Sequence, residues 1–244
     1  MEIHGFFARG KWAVFLGLAL LAWAQSPAVA QPPPRDVGLI TAVSGQVRYQ
    51  GYGESQGQAE PFMKVRLGDR FDLGKDSSLQ IVFFQGSRQE LWKGPVSFRA
   101  LEAQGEALGG AGQAAEVKTL PPGTGQGIQR VPALLRRAGL SRVGAMQVRG
   151  SGSGAKEGQR PGPAALSQEE KAELDGARQT YKAMRQKASP NDLTPELFLL
   201  GMLSEYEQYE EMQGLLQEAL SRDPSNELLK ELAEWVEAQR KKSR

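Results

Sequence analysis

The chain has 244 residues, enough for one or two domains, and its formal charge of +2 is close to neutral. It contains no cysteine and one histidine, His4. Disulfides, thiolate metal sites and thiol nucleophiles are excluded, as are histidine triads and the usual zinc sites beyond the N-terminal segment, so no cofactor or metal is expected.

The charge is unevenly spread. From Lys118 to Arg160 eight basic residues stand against Glu157 alone, whereas from Ser167 onward 16 acidic residues face 11 basic ones. That pattern predicts a basic connector between two regions of milder or opposite charge.

Residues 1–30 read as a cleavable secretory signal peptide. Arg9 and Lys11 precede the apolar run Trp12–Ala24, and Ala28-Val29-Ala30 fits small-x-small cleavage. Such a run is short of the roughly 20 residues that span a bilayer. Export, most simply to a bacterial periplasm, is the expectation. Residues 31–36 form a stiff Pro-rich lead-in.

An all-β domain, a sandwich or barrel, is predicted over residues 37–121. Leu39–Val43 and Gln46–Tyr49 are strand-like runs joined through Ser44-Gly45, and short pieces punctuated by glycine follow to Asp76. The central stretch is Leu79–Leu101. There Leu79, Ile81 and Phe83 share one face of a strand, and Val82 and Phe84 share the other. Both faces are apolar, which predicts a sheet covered on each side. Val96, Phe98 and Ala100 then restore alternation, so one face there can be wet.

The segments Ile40–Val47, Val65–Phe71, Ser77–Ser87 and Leu91–Phe98 together resemble the FecR-type β domain of bacterial envelope proteins. The likeness lies in glycine spacing and apolar alternation over about residues 37–120. It implies a periplasmic β fold rather than a chemical site.

Residues 122–166 read as a basic, Gly-rich linker or extension. GTGQG at 123–127 lacks the Lys-Ser/Thr of a phosphate loop. Arg136, Arg137, Arg142 and Arg149 are candidates for contact with an anionic envelope surface.

Residues 167–244 are predicted to be helical. Ser167-Gln-Glu-Glu170 is a capping-box signal for a helix running to about Lys187. Thr194-Pro195 opens the next helix as N-cap and first-turn proline, with Leu197, Leu200, Leu203 and Tyr206 on one face. A third helix follows Tyr209 and ends at Asp223-Pro224, and a fourth carries Leu228, Leu232 and Trp235. The middle pair resembles a degenerate tetratricopeptide hairpin. That resemblance implies docking of a peptide or partner helix, with Leu203, Tyr206, Tyr209, Met212 and Trp235 as candidate contact residues.

Asp69, Asp72 and Asp76 are the carboxylates closest to one another in the β domain. Two suitably spaced carboxylates can hydrolyse glycosides, but acids beside Arg70 and Lys75 more simply form solvated ion pairs. The expected function is therefore non-catalytic. The preferred reading is a periplasmic adaptor that docks a protein of the periplasm or inner membrane. The alternative is a protein that binds cell-wall glycan or anionic envelope polymer. No nucleic-acid partner is expected, because the basic segment lacks interleaved aromatics.

Overall fold

A computed structural model describes residues 35–51, 56–109, 114–140 and 166–243. The expected signal peptide, Arg142 and Arg149 lie outside the described residues.

In chain order the strands are β1 (Asp36–Ser44), β2 (Val47–Gln50), β3 (Gln56–Gln58), β4 (Lys64–Arg66), β5 (Arg70–Leu73), β6 (Ser78–Phe83), β7 (Arg88–Lys93), β8 (Val96–Ala100), β9 (Gly105–Ala107) and β10 (Glu116–Thr119). They form two antiparallel five-stranded sheets. The first has the order β10-β7-β6-β1-β4 and the second β3-β2-β5-β8-β9.

The two-sided apolar pattern of β6 explains how the layers stack. Leu79, Ile81 and Phe83 join a core that includes Val47, Phe71, Leu73 and Phe98 of the second sheet. Val82, with Phe84 just past the strand, joins a different core built with the helices. The first sheet is thus the middle layer, with the second sheet on one face and helices on the other. Trp92 of the first sheet stacks on Phe98 of the second with ring centroids 4.2 Å apart, and Phe98 stacks on Phe71 at 5.1 Å. Buried Glu90 ties the edge together, since it accepts from the Trp92 indole at 3.0 Å and the Gly105 amide at 2.9 Å, and pairs with Arg88 at 2.6 Å.

The helices are α1 (Thr124–Gln129), α2 (Val131–Arg137), α3 (Gln168–Lys187), α4 (Thr194–Glu205), α5 (Tyr209–Arg222) and α6 (Glu227–Lys242). Of these, α1 and α2 lie in residues 122–166, which the sequence reads as a linker or an extension. Ile128, Val131, Leu134 and Leu135 are buried and belong to the helical core, with Pro132 in the first turn of α2. The physical reason is the 3-to-4-residue spacing of those apolar side chains, which makes a stripe that must be covered.

GTGQG is a packing element. A Cβ on Gly125 would lie 2.1 Å from the Phe84 carbonyl oxygen, and one on Gly127 2.5 Å from the Phe198 ring. Across the contact, a Cβ on Gly201 of α4 would lie 2.0 Å from the Gly127 carbonyl oxygen. Missing side chains therefore let α1 wedge between the sheet and α4 with backbones touching.

The capping box at α3 forms as the sequence predicts: the Glu170 amide donates to Ser167 Oγ at 3.2 Å, and the Ser167 amide donates to the Glu170 carboxylate at 2.8 Å. For α4 the structure differs from the one-faced expectation. Every residue from Thr194 to Ser204 is buried, because α1 and α2, α3 and α5 all pack around it. Even Glu196 is fully buried; it pairs with Arg185 at 3.0 Å and Arg222 at 3.4 Å, so it joins α3, α4 and α5. Burial, aided by the Glu196 charge, pushes the neighbouring Tyr181 hydroxyl well above its ordinary pKa.

Helices and sheet are also joined by a polar cluster around Asp192, which precedes α4 and is 7 % exposed. Asp192 Oδ1 accepts from Gln80 Nε2 at 2.9 Å and from the Thr194 amide at 3.0 Å, while Oδ2 accepts from Gln89 Nε2 at 3.2 Å. A bulge in β1 helps to build this cluster. Ile40 pairs with Ile81 but Ala42 pairs with Gln80, and the extra residue, Thr41, accepts from Gln80 at 2.9 Å. Burial alone would raise the Asp192 carboxyl, yet the hydrogen bonds from Thr194, Gln89 and Gln80 outweigh it and hold the group below the ordinary aspartate value.

Candidate ligand-binding face

The second sheet has its apolar residues on the inner face only. Val47, Tyr49, Phe71, Leu73, Val96 and Phe98 are buried there. Strand alternation then sends Arg48 and Gln50, Arg70 and Asp72, and Ser97 and Arg99 to the outer face. The ladder registers place these side chains in two rows. Gln58, Arg48, Asp72 and Ser97 are successive cross-strand neighbours in one, and Gln56, Gln50, Arg70, Arg99 and Glu106 in the other.

The first row lies along the floor of an open depression of about 650 Å³, rimmed by Gln46, Gly74, Pro95 and Leu108. A second depression of about 450 Å³ continues it across Arg48, Gln58 and Asp72 toward Gln50 and Gln56. Together they make a groove running across the strands. Its floor offers the Arg48 guanidinium, several carboxamides, the Ser97 hydroxyl and the Asp72 carboxylate. Ser97 already donates to Asp72. This arrangement can exchange hydrogen bonds with a polar ligand along its length.

The three carboxylates that the sequence brought close serve different local ends. Asp69 is buried and accepts from the Arg66 amide at 2.7 Å, closing the turn before β5. Asp72 faces the groove. Asp76 is exposed in the turn before β6, with φ of 59°. Among the described residues no group of three or more His, Cys, Asp or Glu side chains is placed to hold a metal ion.

Candidate contact residues in the helices are redistributed by their burial. Leu203 and Met212 are fully buried in the helical core, which corrects their assignment as partner contacts. The reason is that α4, which carries Leu203, is covered on every side, and Met212 lies on the buried face of α5 with Leu215, Leu216 and Ala219. Tyr206 is half-buried and its hydroxyl donates to Glu173. Burial and that carboxylate push the hydroxyl up to about 12. Tyr209 and Trp235 remain half-buried in an edge-to-face pair with centroids 6.0 Å apart, joining α5 to α6. Arg136 and Arg137 are exposed in the last turn of α2, and Arg137 donates to the Ser204 carbonyl at 3.0 Å.

Arg48, Gln58, Ser97 and Arg99 were not singled out by the sequence. Their signal was the polar half of each strand's alternation, which shows that a face is wet but leaves open which residues meet across strands. No protein-family model, curated protein or solved structure matches the chain.

Proposed function

We propose that this is a non-catalytic, exported binding protein of the cell envelope, in which a FecR-type β domain holds a polar ligand on its outer face. The observation that carries the reading is the asymmetry of the two sheets. The first is covered on both faces, whereas the second keeps an open outer face bearing a groove of hydrogen-bonding side chains. In this reading the helices chiefly brace the middle sheet. Asp72 is the carboxylate lining the groove, whereas hydrolysis of a glycoside by the usual route needs two flanking the bond. The envelope assignment rests on the FecR-like motifs and the signal-peptide pattern of the sequence.

A second reading, docking of a periplasmic or inner-membrane protein on the helices, is favoured by the half-exposed Tyr209–Trp235 pair. Retention of the purified full chain on sedimented cell envelopes separates the two. Ser97→Trp fills the groove from an outward position and is expected to lower retention by about tenfold, with an unchanged circular-dichroism spectrum. Trp235→Ala is expected to leave retention as it was. The reverse pattern would move the binding surface to the helices.

A further inference from the structure

The row beside the groove carries a charge arrangement that the fold itself does not need. Arg70 of β5 and Arg99 of β8 are direct cross-strand neighbours on the open face. Residues in such a position have Cβ atoms about 5 Å apart, and like charges there repel. Arg48 lies diagonally beside Arg70, since Arg48 pairs with Asp72 and Gln50 pairs with Arg70. Only partial compensation is present. Arg99 reaches Glu106 at 2.6 Å, but its Nε is buried without a hydrogen-bond acceptor. Among the described residues neither Arg48 nor Arg70 forms an ion pair, and Asp72 receives the Ser97 hydroxyl.

We propose that Arg48 in the groove, with Arg70 and Arg99 in the row along its edge, recognises an anion, and that the ligand is a carboxylate-bearing glycan. This rests on the reading of the outer face as the binding surface and names its ligand class. Guanidinium groups take carboxylates through two parallel N–H donors, so a bound acid would relieve the Arg70–Arg99 repulsion and give the Arg99 Nε an acceptor. The carboxamides of Gln46, Gln50, Gln56 and Gln58 toward one end, and the Ser97 hydroxyl toward the other, both donate and accept, which suits sugar hydroxyls along a chain. An extended groove across several strands suits a polymer better than a single small acid.

The test is calorimetric titration of the full chain with three probes: an oligogalacturonate, a neutral cello-oligosaccharide of equal length, and a linear polyphosphate. The oligogalacturonate is expected to bind at least about tenfold more tightly than the neutral sugar, and to weaken steeply as salt is raised. Arg70→Gln should cost about tenfold in that affinity. It should leave the melting temperature unchanged or higher, because it removes a like-charge pair. Lys171→Gln, exposed on α3, should change neither. If the neutral sugar bound equally well, was unaffected by Arg70→Gln and was lost with Ser97→Trp, the acidic ligand class would be overturned while the groove reading stood. Tighter binding of polyphosphate than of oligogalacturonate would overturn the glycan. Failure of all three probes to bind would overturn the ligand class. Binding indifferent to both Arg70→Gln and Ser97→Trp would overturn the ligand class and the groove reading together.

Discussion

Placing a side chain on Gly201 is expected to be among the most damaging single substitutions in the protein. The new Cβ would lie 2.0 Å from the Gly127 carbonyl oxygen, a backbone atom that no rotamer change can move. Helices α1 and α4 would have to separate, opening the core around Ile128, Leu134 and Phe198. Gly201→Ala should therefore cost at least about 3 kcal/mol, and Gly201→Val should leave the helical half unable to pack. Chemical denaturation followed by tryptophan fluorescence measures this. The contrast is Gly214→Ala in α5, where an added Cβ meets nothing within 4 Å. There the ordinary helix preference for alanine operates, and a gain of about 0.5–1 kcal/mol is expected. The opposite signs would follow from a backbone clash at Gly201 and from helix preference, with no clash, at Gly214.

Asp192→Ala is the second large effect. The carboxylate is the acceptor for Gln80, Gln89 and the Thr194 amide; its loss strips the Gln89 carboxamide and the Thr194 amide of their acceptor, while Gln80 keeps Thr41 and Thr194 Oγ1. A loss of roughly 2–4 kcal/mol is expected. Asp192→Asn should cost less, because the Asn oxygen can still accept at the α4 start and the Gln89 amide can turn to offer its own oxygen. The pair also predicts a pH effect. Native hydrogen bonds hold the Asp192 carboxyl below its ordinary value, so this contribution is complete above about pH 4 and is lost as pH falls through the lowered native pKa. Asp192→Asn removes a titrating group and should flatten the fall in stability below that pH. An acid profile identical in the two proteins would show that the carboxylate is not what couples sheet to helices.

Much of the layered fold is legible in a few residues. Leu79, Ile81 and Phe83 against Val82 and Phe84 state that β6 is covered twice, and both covering layers are there. Ser167 and Glu170 state where α3 starts, because a capping box is a local device that needs no tertiary context. Residues 124–137 were harder to read. Glycines that permit close approach look the same in sequence as glycines that loosen a chain, and only the position of Phe84, Phe198 and Gly201 distinguishes them. For the same reason the stripe of α4 pointed to a surface helix, although its neighbours bury it all round.

The groove was half legible. Alternation in β2, β5 and β8 shows which residues point outward, but the meeting of Arg70 with Arg99, or of Arg48 with Asp72, depends on register. Register is set by the inner apolar faces and the turns, across segments distant in sequence. Asp72 was visible only as one of three nearby acids, and its partner Ser97 lies on another strand.

Hydrogen exchange of the full chain with and without the envelope fraction that retains it is the most direct measurement of where the ligand sits. Added protection is expected at Gln46–Gln50, Gln56–Gln58, Arg70–Leu73 and Val96–Arg99, on the outer face of the second sheet. Protection confined to α5 and α6, around Tyr209 and Trp235, would contradict it and make the helices the docking surface.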